Sequence, residues 1–599
     1  MAQSDGSAWD VAIIGGGPTG TTAGTLLRTY NPELRVLILE KAKFPRDHIG
    51  ESQLPTIGPI LNEMGVWEKV EAAGFPVKIG ASYTWGRNHD RWSFDFLPIE
   101  TFQDQARPAK YEGQRQQTAF QVDRAIFDDI LLRHAESMGC VVREQTQVRE
   151  VLRTGDRIDG LRLDSGETVT ARYYIDASGA VSLFRRALEI PTWSPNELKN
   201  IAFWDYWQNA EWAVEIGTSA TRIQIRSLPY GWIWFIPIGA TRTSIGVVVP
   251  AEWYRKTGQT PQEIYHRAVA EQPEVAALVK NARAEGNFDT CKDWSNLAER
   301  PIGENWFLAG ESAGFADPIL SAGMTLAHTS AREAAYSILE LDRGELDASW
   351  VRERYATRVR EGIRNHIRFA QFWYASNGCF TDLKDHCVNI AREAGLGLTP
   401  EKAWRWLSLG GFTNEIVGSA SLGSFGVTHT KRMVDLFSSD GRKCPSLADG
   451  YNVFKLNLRG AERGHVGSLA DGRIERIPCY RRADRMLPVA GSFGLMIGWL
   501  EQTSDARTLA DLIQRHAAGR FGREETAAFA SGCYEALEVM VQDGWVMRDK
   551  NKKRPVLRLS HDQSRVVRHS RDEAAVLGQM ANPPKIVDRT AGPDPTTPR

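Results

Sequence analysis

Residues 11–20 read VAIIGGGPTG. Val11 to Ile14 are apolar without alternation, which predicts a short strand buried on both faces, the mark of a parallel sheet. The run passes straight into Gly15-Gly16-Gly17-Pro18-Thr19-Gly20 and then into a segment containing alanine and leucine that opens a helix. Gly15, Gly17 and Gly20 therefore meet the G-x-G-x-x-G spacing in a strand–turn–helix setting. The first glycine permits the tight turn, the second lets a pyrophosphate approach the backbone, and the third lets helix and strand pack closely. The helix start then presents free N–H groups to the phosphates. A second apolar run, Val36 to Leu39, ends at Glu40, twenty residues past Gly20. An acid at that distance holds a ribose hydroxyl. The N-terminal region reads as a dinucleotide-binding domain, and the glycine motif by itself leaves FAD and NAD both open.

The rest of the composition narrows the class. A chain of 599 residues exceeds one core and predicts about two to four domains. With a net charge of −1, neither a nucleic-acid nor a membrane partner is expected. No run of about 18 apolar residues occurs, so no transmembrane helix is expected. The start MAQSDGSAWD lacks a basic-then-apolar leader, so a cytoplasmic location is expected. The seven cysteines are scattered, with no CxxC pair; they read as reduced thiols, and no metal site is expected.

Three further stretches separate the cofactors. Gln121-Val122-Asp123-Arg124 opens a helix, Tyr174-Ile175-Asp176-Ala177-Ser178-Gly179 ends a strand, and Trp306 to Gly314 (WFLAGESAG) is a strand running into a glycine turn. In this set the chain resembles the flavoprotein aromatic hydroxylases and their relatives. The resemblance implies FAD, with Gly15, Gly17, Gly20, Glu40, Ser52, Arg124, Asp176, Gly310, Glu311 and Pro318 on the cofactor side. Arg124 would meet a phosphate and Glu311 the ribityl chain, where the family's usual acid is Asp. The residues alone also allow a helix-surface salt bridge for Arg124 and an acid near a helix start for Glu311.

Residues 231–239 read GWIWFIPIG. Trp232 and Trp234, two apart, line one face of a strand. Alone they are bulky sheet packing. Together with Ile236 and Pro237 they meet W-x-W-x-I-P, and Phe315 to Gly323 (FADPILSAG) meets F-x-x-P-x-x-S-x-G. Lys78-Ile79-Gly80, leading to Trp85-Gly86, meets K-x-G before an aromatic strand, and Gly50-Glu51-Ser52 matches a segment near the flavin. Across roughly the first 375 residues these motifs resemble the flavin-dependent halogenases.

The resemblance implies an enzyme that uses FADH2, O2 and chloride or bromide. A hydroxylase passes oxygen to its organic substrate; a halogenase passes it to halide, giving hypohalous acid. The indoles of Trp232 and Trp234 would then separate flavin from substrate and exclude water. The halide would sit at the Ser321-Ala322-Gly323 helix start, where free backbone N–H groups favour an anion; a plain serine cap is compatible with that. Lys78 would deliver the oxidant, by hydrogen bond or as a haloamine, because a buried lysine has a lowered pKa. A lysine is ordinarily solvated, and only its motif argues otherwise. Halogenases of free tryptophan carry Glu before the motif's serine; here Leu320 stands there. That predicts a more activated substrate, a phenol, a pyrrole or an enolisable acyl group, free or tethered to a carrier protein, in natural-product biosynthesis.

The expected fold is α/β. A Rossmann-like FAD-binding core with an inserted antiparallel substrate sheet spans residues 1–375, and an irregular or helical active-site cover spans 376–480. A winged-helix-like end spans 481–567, and a partly disordered tail 568–599. The winged-helix reading rests on three helical patterns from Leu495 to Gly544 and a hairpin with a basic turn in VMRDKNKKRPVLRLS. No second nucleotide fingerprint is evident, so a separate flavin reductase is the expected partner. The alternatives are a single-component NAD(P)H monooxygenase and a non-catalytic flavin-binding regulator.

Overall fold

The computed structural model describes residues 9–85, 91–195, 198–292, 294–376, 447–483, 485–558 and 567–590. They belong to two compact units. The first holds the N-terminal region to residue 383, residues 471–473 and the chain from 564 on; the second holds 384–470 and 474–563.

The first unit contains the expected parallel sheet. Its strands run in the order Trp306–Leu308, Ala171–Asp176, Trp9–Ile14, Val36–Leu39, Val141–Arg143. Val11 to Ile14 and Val36 to Leu39 are all buried, which explains why neither run alternates. The register sets Ile14 beside Asp176 and Asp176 beside Leu308. The three motifs that follow these strands, starting at Gly15, Ala177 and Ala309, therefore leave from one edge of the sheet. Ligands of open parallel sheets bind outside that carboxyl edge.

A larger sheet carries the tryptophans. Strands Asn200–Gln208, Arg242–Pro250, Gly231–Pro237 and Ala220–Leu228 pair antiparallel in that order; Val77–Thr84 joins Ala220–Leu228 in parallel, and Arg91–Asp95 follows. One face packs Phe203, Ile233, Phe235, Ile245 and Val247 against Ile264, Tyr265 and Ala268 of the helix Pro261–Glu271. The alternate residues, among them Trp232, Trp234, Ile236 and Tyr206, project from the other face.

The lysine strand, Val77–Thr84, has an irregularity that decides where Lys78 points. Thr221 pairs with Lys78, but Arg222 pairs with Gly80, so Ile79 is an extra residue. Such a bulge resets the alternation. Directly paired residues share a face: Thr221 with Lys78, and Ile225 with both Tyr83 and Trp234. Thr221 and Ile225 are four apart and also share a face. Lys78 thus joins Tyr83 and Trp234 on the tryptophan side; unbroken alternation would have put it opposite Tyr83. Gly80 has its own reason: a Cβ there would lie 2.0 Å from the Phe94 carbonyl oxygen and 2.7 Å from Asp95 Oδ1.

The C-terminal part corrects several expectations. Of the expected partly disordered tail, residues 568–590 are tied to the first unit, and 591–599 lie outside the described residues. Val567–His569 pairs with Arg91–Asp95, and Ile586–Asp588 pairs with Val214–Ile216, both on the large sheet. Buried Arg568 pairs with Asp95, which also holds Arg222 through two bonds of 2.7 and 2.8 Å, and Arg222 in turn pairs with Glu573. In the second unit, the three expected helices are Gly491–Gln502, Ala506–Ala517 and Arg523–Gln542. They pack Met496, Leu500, Leu509, Ile513, Leu537 and Met540 around Phe454 and Trp545. The expected basic hairpin does not form among the described residues; Val546–Asp549 pairs instead with Val453–Leu456. The later part of the expected irregular cover is likewise strand, at Val453–Leu456, Glu462–Ala470 and Arg473–Arg482; its residues 377–446 lie outside the described residues. No helix among the described residues is long and apolar enough to cross a membrane.

Candidate active site

The glycine turn is built as a phosphate cradle. Gly15 has φ +108°, and a Cβ on Gly20 would sit 1.9 Å from the Gly15 carbonyl oxygen, so only glycine allows this turn-to-helix contact. Gly17 is the N-cap of the helix Pro18–Tyr30 and carries no side chain to close it. Glu40 accepts the Gly16 N–H at 2.7 Å and the Ala42 N–H at 2.8 Å, which fixes its carboxylate at the mouth of the turn.

Arg124 opens the helix Arg124–Ser137 and is buried. It holds Asp128 through two bonds of 2.7 and 2.8 Å and donates to the Ile49 carbonyl at 2.7 Å. The salt bridge is therefore present but not on the surface, and it ties the 46–50 loop to the helix. Glu311 lies against the Gly179–Ala180 backbone, and burial raises its pKa. A Cβ on Gly310 would meet Thr19 Oγ1 at 2.4 Å. These placements bring Gly15, Gly17, Gly20, Glu40, Gly310 and Glu311 to one edge. Asp176 is at that edge too, but both its oxygens are taken up by Ser178, Phe184 and Ser312; it acts as a staple between loops.

The region fits FAD. Ser52 Oγ, Gln53 Nε2 and both amide atoms of Gln121 are buried without a hydrogen-bond partner among the described residues. Ser52 and Gln121 pair through a backbone bridge. Buried polar atoms seldom stay unpaired in a native protein, and a polar cofactor bound here would supply what they lack.

Lys78 is 1% exposed. Its Nζ donates to the Gln53 carbonyl at 2.9 Å and to Ser321 Oγ at 3.3 Å, and lies 5.5 Å from the centre of the Phe96 ring. No carboxylate pairs with it among the described residues. Burial alone lowers its pKa to about 7. Ser321 has φ +58° and does not cap the helix Ala322–Arg343 that it precedes; its hydroxyl turns to Lys78 instead. The first N–H groups of that helix, at Ala322 and Gly323, start beside the lysine.

The indoles form a wall. Trp232 and Trp234 are 1% and 5% exposed, with ring centres 5.9 Å apart. Trp234 donates to Ser244 Oγ at 3.1 Å and lies over Gly246. Ile236 and Pro237 continue the strand and are buried. Trp85 joins the cluster at 6.5 Å from Trp232 and donates to the Trp373 carbonyl at 2.8 Å. Trp232 donates to the Tyr374 hydroxyl at 3.1 Å, and Tyr374 donates to Asp317 Oδ1 at 2.8 Å. Pro318 begins the turn between Asp317 and Ser321.

Several residues here were not singled out from sequence. Gln53 contributes a backbone carbonyl, which no residue type announces. Trp373 and Tyr374 sit at the far end of the helix Ala348–Ser376, where the run FWY was the only signal. Tyr206 donates to Glu51 Oε1 at 3.2 Å, and burial raises the Glu51 pKa to about 7.

Comparison with known proteins agrees with this geometry. Residues 8–370 match the family described as FAD binding domain. A tryptophan 2-halogenase from Chondromyces crocatus is 32% identical over 79% of this chain and 82% of its own. A 1H-pyrrole-2-carbonyl-[peptidyl-carrier protein] chlorinase from Pseudomonas fluorescens is 32% identical over 62% of this chain and 85% of its own. Among solved structures, the myxobacterial chondrochloren halogenase CndH superposes with a TM-score of 0.56 at 27% identity, covering 72% of this chain and 98% of that one. The flavin-dependent halogenase CmlS gives a TM-score of 0.67 at 24% identity over 94% of this chain and all of that one, a likeness of fold.

Proposed function

This chain belongs to the flavin-dependent halogenases within the FAD-binding-domain flavoproteins, and on that premise we propose that Lys78 delivers hypohalous acid to an activated substrate. The enzyme uses FAD as FADH2, halide and O2, and its family needs a reductase to supply the reduced flavin; here a separate one is proposed. Bound FADH2 supplies the electrons that reduce O2 and so activate the halide. The glycine turn, Glu40 and Arg124 hold the cofactor at the carboxyl edge of the parallel sheet. The N–H groups of Ala322 and Gly323 hold the halide.

The observation that carries the reading is the setting of Lys78: a buried amine, held by one carbonyl and one hydroxyl, with no acid among the described residues to keep it charged. A neutral amine has a lone pair and can either hydrogen-bond hypohalous acid or take the halogen. In the second case the N–H bond breaks, an N–halogen bond forms, and the hydroxide and proton leave as water. The indoles of Trp232 and Trp234 keep the organic substrate from the flavin and keep bulk water out.

The substrate is an activated one, free or tethered to a carrier protein. Leu320 in place of the acid of free-tryptophan halogenases supports a phenol, a pyrrole or an enolisable acyl group. One similar protein is named for tryptophan and another for a carrier-linked pyrrole, so the decisive comparison is direct. Intact-mass analysis with a flavin reductase, chloride or bromide, and free tryptophan, a phenol or a carrier-linked pyrrole tests the reading. We expect halogen in the phenol or pyrrole product. Tryptophan turnover equal to the best of these overturns the substrate assignment. Hydroxylation with direct NAD(P)H consumption, or no product at all, overturns the delivery chemistry.

A further inference from the structure

Asp317 is 1% exposed and lies in the turn that leads to Ser321. Its Oδ1 accepts the Ile319 N–H at 2.9 Å and the Tyr374 hydroxyl at 2.8 Å; its Oδ2 accepts the Trp294 indole N–H at 3.1 Å. Tyr374 in turn accepts the Trp232 N–H at 3.1 Å. One buried carboxylate thus joins the Trp232 strand, the helix Ala348–Ser376 and the Trp294 segment to the turn that positions Lys78's hydroxyl partner.

We propose that Asp317 is a positioning residue that couples the indole wall to the Lys78–Ser321 pair, acting through Tyr374 and the Pro318–Leu320 turn. The inference rests on the reading of Lys78 as the delivery residue. Three hydrogen-bond donors converge on Asp317 with the Asn200 side chain beside them, and no cation pairs with it among the described residues. A carboxylate accepts from all three; an amide would turn an NH2 group toward one of them. Burial is costly for such a charge and raises its pKa to about 6. Structural economy would favour a neutral group, so its use points to geometry held for the site. What needs holding is Ser321, whose φ of +58° lies in the left-handed region that residues other than glycine and asparagine seldom enter. The Asp317 cap on Ile319 shapes the turn just before it. If the turn relaxes, the Ser321 hydroxyl leaves Lys78, and oxidant meant for the amine escapes.

The test reads that escape without needing the native substrate. Taurine in solution is converted by free hypohalous acid to a haloamine, which is counted per FADH2 oxidised in the presence of bromide. We expect Asp317→Asn to keep FADH2 oxidation and raise escaped oxidant about tenfold, the scale of a small misplacement at a reacting centre. Tyr374→Phe, which leaves the Ile319 and Trp294 bonds intact, should raise it less. The double variant should equal Asp317→Asn alone, because both act along one chain of contacts. Escape at the parent level in Asp317→Asn, or additive effects in the double variant, overturns the proposal. If Asp317→Asn fails to fold, parent-level escape in Tyr374→Phe does so. Lys78→Ala separates the two readings. If it leaves escape unchanged, delivery by the lysine is wrong. If it raises escape while Asp317→Asn does not, only the coupling is wrong.

Discussion

Lys78 Nζ stands 3.3 Å from Ser321 Oγ, joining residues 243 positions apart in the chain. Each has given up its commoner role. The lysine is not solvated, and the serine does not cap its own helix. We expect Lys78→Ala to keep FADH2 oxidation and lose halogenated product by at least about a hundredfold, as loss of a group that meets the reacting atom does. Ser321→Ala keeps the bond to the Gln53 carbonyl and should cost about tenfold. Flavin absorbance and product mass, followed together, check both. Halogenation at the parent rate in Lys78→Ala would sink the assignment.

The lysine also makes a pH prediction. Its folded pKa is about 7, against 10.5 for the free side chain. Below about pH 7 the amine is charged and has no lone pair, so product per FADH2 should fall there while FADH2 oxidation continues. The same shift acts on stability. Between pH 7 and 10.5 the unfolded chain binds a proton at Lys78 that the folded chain does not. Stability therefore rises with pH across that window, by up to about 1.4 kcal/mol per pH unit from this group. Lys78→Met should be inactive yet more stable at pH 8, by on the order of 3 kcal/mol, and should lack this slope. Urea unfolding at pH 7, 8 and 9 checks it; an unchanged slope shows that the amine is charged in the folded state.

The parallel sheet was legible because strands buried on both faces leave unbroken apolar runs, as in Val11–Ile14 and Val36–Leu39. The motif residues were legible as types, but not the bulge at Ile79 that turns Lys78 to the tryptophan face. A bulge is a matter of register between two strands distant in the chain, and VKIG carries no local sign of it. Asp317 lay inside a quoted motif, yet its partners Tyr374 and Trp294 come from other elements. The C-terminal strands were missed because their partners lie hundreds of residues upstream. By contrast, Asp471-Gly472, with φ of +46° and +73°, is an ordinary hairpin signal between two strands that a compositional reading took for loop.

Gly246 predicts how tightly the indole wall is built. A Cβ there would fall 2.1 Å from Trp234 Cζ2 and within 2.5 Å of two more ring atoms. The ring cannot give way cheaply, since its N–H is held by Ser244 and Trp232 packs beside it. Gly246→Ala should therefore displace Trp234 and cost about 1–3 kcal/mol of stability, the range for overpacking. If the wall separates flavin from substrate, this variant should leak oxidant or hydroxylate, as smaller residues at Trp232 or Trp234 should. Clean halogenation in all three would return the indoles to plain packing.

Arg568 predicts that the last part of the chain is integral to the first unit. Its guanidinium is fully buried against Asp95, beside the pair of Arg222 with Glu573. The four charges sum to zero, and Asp95 also crowds Gly80 on the lysine strand. Removing one partner of a buried network leaves a charge uncompensated, at a cost of about 3–5 kcal/mol. Arg568→Met should lose that much in urea unfolding followed by tryptophan fluorescence. Arg568→Met with Glu573→Gln restores neutrality around the remaining Asp95–Arg222 pair and should recover part of the loss. A loss below about 0.5 kcal/mol, the level of an ordinary surface change, would mean that the segment adds nothing to the sheet. A double variant no better than the single would mean that the arginine acts by packing and not by charge.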